Sequence, residues 1–223
     1  MEVDRNNMRY MEREETIIEA ARGRKVLHLG CIGNTELEPS DRVRLAEKSL
    51  HWSLSQVGTV VGVDYSETVV REYKRLGIFT NIVVGSVERL DALDIEGNFD
   101  VIIAGDIIEH ILNPGLMLEG IKRFCHVNTQ IILITPHAFG LLNYLRFSFN
   151  KFNDGAEHVM TFNIQNIGNL LERYGYAINS IYTCYQAYAQ LYGAMFKLGK
   201  IFFQRFPKFG GTLFVVAKPN WKT

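Results

Sequence analysis

The chain has 223 residues, 47% of them hydrophobic, and its 24 basic and 24 acidic side chains cancel. This length suits one large domain with a substantial core. The composition excludes a largely disordered chain and a protein that binds nucleic acid through bulk positive charge. The longest apolar runs fall short of the roughly 20 residues that span a bilayer, and the charged start MEVDRNNMRYMEREE contains no signal-peptide core.

The cysteines are Cys31, Cys125 and Cys184, which are widely spaced and form no CxxC pair. An odd number of separated cysteines predicts reduced thiols and no zinc site. We therefore expect a cytoplasmic protein.

Residues 1–22 are predicted to form an N-terminal helix, because apolar side chains recur at helical spacing among many charges. Five short apolar strands then alternate with helices: KVLHLG, TVVGVD, NIVVG, FDVIIAGD and QIILITP. Helices are expected from Ser40 to about Gln56, from Ser66 to Leu76, and from Pro114 to Phe124. This alternation is typical of a doubly wound parallel sheet with helices on both faces.

The pattern changes after the fifth strand. FNIQNIGNLLERYGY predicts an amphipathic helix that is capped by Asn163 and stopped at Gly175. YAINSIYTCYQ and GGTLFVVAKP predict two closing strands, and residues 185–209 between them predict an aromatic helical insertion before the last strand. Residues 1–223 are thus expected to form a single α/β domain with a seven-stranded sheet and an antiparallel C-terminal strand pair.

Small and acidic residues follow the predicted parallel strands, at the sheet edge where such folds bind ligands. A nucleotide-like ligand needs a loop of small residues whose backbone it can approach closely. The GCIG segment after the first strand meets this requirement in part. Asp64, at the end of the second strand, can accept hydrogen bonds from both hydroxyls of a ribose. Together they predict a nucleotide-like ligand at this edge.

Four stretches together resemble the class I S-adenosylmethionine-dependent methyltransferases: KVLHLGCIG, VVGVDYS, NIVVGSVERLD and FDVIIAGDIIEHILNPGLML. The last, with Glu109-His110 and Asn113-Pro114, is similar to the small-molecule branch that includes ubiquinone-biosynthesis O-methyltransferases. TPHAFGLLNYLRF followed by EHVMTFNIQNIGNLLERYGY is similar to bacterial methyltransferases found among polysaccharide genes. The resemblance covers most of the chain. It implies a Rossmann-like sheet, S-adenosylmethionine as cofactor and S-adenosylhomocysteine as product.

The resemblance also implies a set of cofactor-binding residues. Beneath the methionine end of the cofactor it places Gly30, Cys31 and Ile32. It implies that Asp64 binds the ribose and that Tyr65 packs on the adenine face. The adenine edge would be contacted by Ser86 and Val87. The floor near the sulfonium would be lined by Gly105, Asp106 and Ile107. The chain departs from the family at His28, where an acidic residue is usual, and at Ile32 and Asn34, where glycines are usual. An acidic residue is also common at Ser86.

Methyl transfer is an in-line displacement in which positioning supplies most of the acceleration. A base is needed only when the acceptor is a hydroxyl or a protonated amine. The candidates for substrate contact or proton transfer are His110, His137 and His158. Some members of the resembling families bind a divalent metal through a Glu-His pair, but such a site needs further ligands. We expect no metal site.

The 185–209 insertion is rich in tyrosine and phenylalanine and carries Lys197, Lys200, Arg205 and Lys208. Packing against the core, or against another subunit of a homodimer, is the favoured explanation. Two less favoured explanations are that the insertion lines a pocket for a hydrophobic acceptor and that it contacts a membrane surface.

The expected function is methyl transfer from S-adenosylmethionine to a small-molecule acceptor, with oxygen or nitrogen favoured over carbon as the methylated atom. The acceptor classes are sugars, lipid-linked compounds and secondary metabolites, with no nucleic-acid partner. One alternative is a non-catalytic binding protein on the same fold. The other is an NAD(P)-dependent oxidoreductase or epimerase, which is weakened because the sequence contains neither GxGxxG nor a Tyr-x-x-x-Lys pair.

Overall fold

The computed structural model describes residues 8–33, 39–149, 157–184 and 194–221. The strands are β1 (Arg9–Tyr10), β2 (Lys25–Leu29), β3 (Thr59–Asp64), β4 (Ile82–Val84), β5 (Phe99–Gly105), β6 (Cys125–Pro136), β7 (Tyr176–Cys184) and β8 (Thr212–Pro219). The α-helices are α1 (Arg13–Ala21), α2 (Pro39–Ala46), α3 (Leu50–Ser55), α4 (Glu67–Arg75), α5 (Pro114–Ile121), α6 (Leu141–Ser148), α7 (Ile164–Arg173) and α8 (Ala194–Arg205). Short 3-10 helices lie at Val87–Ala92, Lys122–Phe124 and Pro207–Phe209. Within these ranges, no helix combines the length and apolar character that crossing a membrane requires.

The strands form one mixed sheet in the order β1-β7-β8-β6-β5-β2-β3-β4. Strand β8 runs antiparallel to both of its neighbours, and the other pairs are parallel. The predicted α/β sheet and its closing antiparallel strands are therefore present, but within the described residues the sheet has eight strands rather than seven. The additional strand is β1, whose Arg9 lies opposite Tyr182 of β7.

The N-terminal segment differs from the helix predicted over residues 1–22. Residues 1–7 lie outside the described part of the chain, Arg9–Tyr10 form strand β1, and helix α1 begins at Arg13. A two-residue strand is too short for an alternating pattern to be recognised in the sequence. It forms because it pairs with β7. Ile17 and Ala21 of α1 are fully buried under the sheet.

The helix predicted from Ser40 to Gln56 is two helices. Helix α2 ends at Ala46 and α3 begins at Leu50. The break has a local cause, because the Ser49 hydroxyl accepts a hydrogen bond from the backbone N–H of Trp52 and so caps α3. The predicted ends of α7 are confirmed: Asn163 forms a capping box, and Gly175 follows the last turn with φ +84°.

The aromatic insertion at 185–209 is described only in its second part. Residues 185–193, which include Tyr188, Leu191 and Tyr192 of the helical pattern, lie outside the described residues. Helix α8 and the 3-10 turn at Pro207–Phe209 follow and lead into β8.

The sheet is buried on both faces, as its almost continuously apolar strands predict. Successive residues of a strand point to opposite faces. On β2, Leu27 therefore packs into the core cluster on one face, and Val26 into the cluster on the other. The same alternation places Ile102 and Ile103 of β5 in the two clusters. The sheet is thus a rigid platform for the loops at its carboxyl edge.

Candidate functional site

The candidate site lies at the carboxyl edge of four adjacent parallel strands, β5, β2, β3 and β4. From β2 the chain first builds β3 and β4 on one side and then returns to build β5 and β6 on the other. Open α/β sheets bind ligands in the crevice at such a reversal. The three gaps between four strands span about 14 Å, which is room for an extended ligand. Four of the predicted positions, Gly30, Asp64, Ser86 and Gly105, follow or end these strands.

The loop after β2 places its two glycines in the left-handed region, with φ +67° at Gly30 and +74° at Gly33. A Cβ atom at Gly30 would lie 2.5 Å from Cδ1 of Ile107, so this glycine permits close contact between the loops after β2 and β5. A Cβ atom at Gly33 would meet nothing within 4 Å. Gly30 therefore has a packing role, whereas Gly33 supplies only the turn. Asn34 lies outside the described residues.

Asp64 ties the loops after β2 and β3 together. Its Oδ2 accepts a hydrogen bond of 2.9 Å from the N–H of Ile32, and its Oδ1 accepts one of 3.0 Å from the N–H of Ser66. Burial raises the pKa of this carboxyl, and the backbone donors oppose that shift. Each carboxylate oxygen keeps a second lone pair for a further donor such as a ribose hydroxyl. Tyr65, next in the chain, is 73% exposed and offers an open ring face.

His28 occupies the position where the resembling family usually has an acidic residue. Its Nδ1 lies 3.3 Å from Nδ1 of His51, and the two buried rings are stacked. Asn81 donates to the carbonyl of Val60, which turns its Oδ1 toward Nε2 of His51 at 3.4 Å. His51 then donates from Nε2 and accepts at Nδ1 from His28. Burial lowers the pKa of His28 to about 3 and that of His51 to about 4, so both rings are neutral.

An ion pair stands at the end of β5. Arg13, in the first turn of α1, donates from Nη2 to Oδ2 of Asp106 at 2.5 Å. Asp106 has φ +49°, the one positive value among the described non-glycine residues, and its N–H donates to the carbonyl of Ile134. A Cβ atom at Gly105 would lie 3.2 Å from Nη2 of Arg13. Arg13 was not predicted as a site residue, because no motif separates it from the other charged residues near the N-terminus.

Ser86 and Val87 have structural tasks at the positions predicted to contact the adenine edge. The Ser86 hydroxyl accepts a hydrogen bond from the N–H of Glu88 and caps the 3-10 helix, while the Val87 side chain is buried. The predicted adenine contacts therefore depend on the backbone here and on the exposed ring of Tyr65.

A second group of side chains gathers beside the loop that follows β5. The carbonyl of Glu109 accepts hydrogen bonds from the N–H groups of Val159 and Met160, at 2.9 and 3.2 Å. This pairing brings His158 next to His110, with ring centroids 4.6 Å apart in an edge-to-face arrangement. One ligand atom from each of Glu109, His110 and His158 lies within 4.8 Å of the others, so the three can hold a metal ion. No metal site was predicted from the sequence, because His158 lies in a loop far along the chain from Glu109 and His110.

Glu109 has the most unusual environment of the three. Its side chain is only 1% exposed, and Oε2 accepts a hydrogen bond of 3.0 Å from the hydroxyl of Thr135. Its Oε1 has no hydrogen-bond partner within the described part of the chain. Burial raises the pKa of this carboxyl to about 7. A buried oxygen without a donor, close to two imidazoles, is suited to a proton or a cation. Sequence reasoning noticed Glu109-His110 but did not count Glu109 among the site residues.

His137, the remaining histidine candidate, is not part of this cluster. It is 2% exposed, and its Nδ1 lies 3.0 Å from the carbonyl of Gly210, which joins the loop after β6 to the turn before β8. Burial lowers the pKa of His137. This geometry favours a role in positioning the two loops.

The family comparison agrees with this geometry. A family described as "Methyltransferase domain" matches residues 9–181, which include the sheet edge and both groups of side chains. The chain belongs to the methyltransferase-domain family. No curated protein matches the chain.

Solved structures of methyltransferases share the fold of this methyltransferase domain. A SAM-dependent methyltransferase from Archaeoglobus fulgidus is 15% identical with a TM-score of 0.57, over 92% of this chain and 91% of that one. Magnesium protoporphyrin IX methyltransferase from Synechocystis PCC 6803, with bound SAH, is 15% identical with a TM-score of 0.58, over 92% and 81%. The Burkholderia thailandensis 1,6-didemethyltoxoflavin-N1-methyltransferase is 16% identical with a TM-score of 0.53, over 93% and 77%. The α/β Rossmann-like methyltransferase fold is thereby confirmed.

Proposed function

We propose that this methyltransferase domain transfers the methyl group of S-adenosylmethionine to an oxygen or nitrogen atom of a small-molecule acceptor. The observation that carries the proposal is the row of Gly30, Asp64 and Gly105–Asp106 at the strand ends where the sheet reverses direction. Bound there, S-adenosylmethionine supplies an activated methyl group on its sulfonium. Two of the neighbouring structures support this choice of cofactor, since both contain S-adenosylhomocysteine (SAH).

The residues of the row fit the parts of this cofactor. Asp64 accepts hydrogen bonds from the ribose, and Tyr65 covers the adenine. Ser86 and Val87 lie at the adenine edge and offer their backbone groups. The loop of Gly30, Cys31 and Ile32 meets the methionine part, and the missing side chain at Gly30 leaves room for Ile107 to pack against this loop.

Arg13 and Asp106 form a pair of opposite charges that suits the zwitterionic methionine tail. In the proposed complex Asp106 accepts from the ammonium group and Arg13 donates to the carboxylate. Charge-assisted hydrogen bonds of this kind are roughly twice as strong as neutral ones. His28 occupies the position of the usual acidic residue, and its ring is neutral. In this proposal Asp106, the partner of Arg13, supplies the negative charge instead.

The acceptor lies over Glu109, His110 and His158 in this proposal. His158 accepts the proton of an acceptor hydroxyl or amine as the acceptor atom bonds to the methyl carbon and the carbon–sulfur bond breaks. Glu109 faces the resulting imidazolium and stabilises it. His110 fixes the ring of His158 through its edge-to-face contact. His137 holds the surrounding loops.

The same cluster favours a second role, as the site of a divalent cation that activates the acceptor as a Lewis acid. One carboxylate and two imidazoles within 4.8 Å of each other support this role. Such a mixed set suits a transition metal or zinc better than magnesium, which prefers oxygen ligands. The residues Glu109, His110 and His158 would hold the ion.

Calorimetric titration with S-adenosylmethionine, S-adenosylhomocysteine, NAD and NADP tests the proposal. We expect micromolar binding of the adenosyl ligands alone, and at least tenfold weaker binding by Asp64→Asn, because one charged acceptor is lost. Asp94→Asn, an exposed aspartate outside the row, is the matched control and should bind normally. Binding of NAD or NADP instead would favour the oxidoreductase alternative. Adenosyl binding without turnover on sugars, phenols and lipid-linked acceptors would favour a non-catalytic binding protein.

A further inference from the structure

We propose that residues 139–149 and 198–211 form a docking surface for an anionic lipid bilayer, which we call the basic apolar surface. It comprises helix α6, the outer side of α8 and the turn that follows α8. The proposal does not depend on the identity of the methyl acceptor.

Helix α8 turns an apolar stripe outward. Leu198, Ile201, Phe202 and Phe206 follow the i, i+3, i+4, i+8 spacing of one helix face, and Leu198 and Ile201 are 66% and 61% exposed. Among residues 198–205 of the helix, the buried one is Phe203, which lies on a different side. A surface helix of a globular protein normally turns its apolar stripe toward the core. The outward stripe therefore indicates an apolar environment outside the domain.

Helix α6 shows the same feature. None of its side chains is buried, although most of its residues are apolar. Phe147 and, just beyond the helix, Phe149 are 67% and 70% exposed, and Tyr144 is similarly exposed. Isolated exposed apolar residues are normal, but a large contiguous group marks an interaction surface.

The start of α6 lies beside the glycine-rich segment that links the turn after α8 to β8. Gly140 precedes α6, and a Cβ atom there would lie 2.8 Å from Cα of Gly211 and 3.0 Å from the carbonyl oxygen of Gly210. The ring of Phe209 in the same turn stacks on Phe202 of α8, with centroids 6.1 Å apart. The start of α6 and the end of α8 are therefore close to each other, joined through Phe209 and the two glycines that follow it.

The basic apolar surface carries a net positive charge. The basic apolar surface contains Arg146, Lys200, Arg205 and Lys208 and no aspartate or glutamate, although the whole chain is neutral. Lys200 is paired with Glu12, and Arg205 lies over the ring of Phe206. Aromatic and aliphatic side chains with cations beside them are the chemistry that binds anionic bilayer surfaces. A symmetric contact with a second copy would instead bring cations against cations.

The location of the surface connects it with the candidate site. Strand β6 ends and β8 begins at the carboxyl edge of the sheet, where Pro136 lies opposite Thr212. The basic apolar surface adjoins this point through Gly140, Gly210 and Gly211. Docking would therefore bring the edge that carries the site toward the bilayer.

Flotation with lipid vesicles tests the proposal on the full chain. We expect binding to phosphatidylcholine–phosphatidylserine vesicles and much weaker binding to pure phosphatidylcholine. The double variant Leu198→Glu/Ile201→Glu should lower the partition coefficient more than about tenfold, because two apolar anchors are lost. Lys208→Gln should lower the partition coefficient about fivefold, which is the contribution of one cation. Added salt should weaken vesicle binding by the wild type.

Val127→Glu is the matched control, because Val127 is 60% exposed near the start of β6, away from this surface. It should bind the mixed vesicles as the wild type does. Circular dichroism and cofactor titration of each variant separate loss of docking from loss of folding or of the proposed function. No binding of the folded wild type to mixed vesicles would overturn the proposal. Equal binding to both vesicle types would also overturn it, as would a dimer that Leu198→Glu/Ile201→Glu dissociates without any vesicle binding.

Discussion

Arg13 donates a 2.5 Å hydrogen bond to the carboxylate of Asp106 and so joins the first turn of α1 to the end of β5. The side chains are 18% and 36% exposed, which leaves the pair accessible to a ligand. Because the two charges lie at the strand reversal, they can be bridged by a zwitterion. This arrangement yields the first prediction.

Arg13→Gln should weaken the binding of S-adenosylhomocysteine about tenfold or more, since a charge-assisted hydrogen bond contributes about 1.5–3 kcal/mol. Adenosine lacks the methionine tail, so its affinity should be the same for the variant and the wild type. Calorimetry with both ligands measures the difference. Arg22→Gln, which removes an exposed arginine paired with Glu19 at the end of the same helix, is the control. Equal losses for adenosine and S-adenosylhomocysteine would contradict a tail-specific role.

The two glycines after β2 should respond differently to alanine. Both have positive φ, which costs an L-residue roughly 1–2 kcal/mol. Gly33→Ala should show only that cost in the free energy of unfolding, since its Cβ enters open space. Gly30→Ala should lose more and should also weaken cofactor binding, because its Cβ must displace Ile107. Denaturant unfolding and calorimetry measure the two effects, and identical behaviour of the variants would refute the packing role of Gly30.

The fold was predictable because its signal is local and repeated. Apolar runs such as those around Val26 and Ile102 define the buried strands, and Asn163 and Gly175 mark helix ends by their own backbone chemistry. Strand β1 and the break at Ser49 were not predictable. The first is a two-residue pairing that β7 imposes, and the second depends on one side-chain hydrogen bond.

The candidate site was predictable where it follows strand ends, and not where it depends on contacts between distant segments. Asp64 and Gly105 could be chosen because parallel strands end at a common edge. Arg13 reaches Asp106 from a helix far away in the sequence, and His158 reaches Glu109 because a backbone carbonyl holds its loop. Such contacts depend on tertiary packing, and no motif or regular residue spacing in the sequence indicates them.

Metal titration can separate the two roles of the Glu109 cluster. If the cluster holds a cation, Mn²⁺ or Zn²⁺ added to chelator-treated protein should raise the thermal midpoint, because binding to the native state stabilises it. His158→Ala should abolish the shift, since one of three ligands is lost. His126→Ala is the control, because that histidine pairs with Asp100 and lies outside the cluster. A wild type that shows no shift with either ion would leave proton transfer by His158 as the role of the cluster.

The buried pair of His28 and His51 should make the protein sensitive to acid. Burial lowers the pKa of the two rings to about 3 and about 4, whereas in the unfolded chain each imidazole titrates near its ordinary pKa of 6.5. Between those values the unfolded state binds more protons than the native state. The stabilisation is therefore complete above pH 6.5 and is lost as the pH falls toward the folded pKa values. Arg13 increases the effect, because its charge also lowers the pKa of His28.

His51→Phe removes one of these titrations and keeps an aromatic ring against Phe79. The variant should be less stable near neutral pH by about 1–3 kcal/mol, because His28 loses its hydrogen-bond acceptor. Its free energy of unfolding should then fall less steeply with acid, by about 1.4 kcal/mol per pH unit, the contribution of one proton. Denaturant unfolding at several pH values measures both changes. Val127→Leu, an exposed substitution that changes no titratable group, should keep the wild-type slope. An unchanged slope for His51→Phe would show that the buried rings do not govern the acid sensitivity.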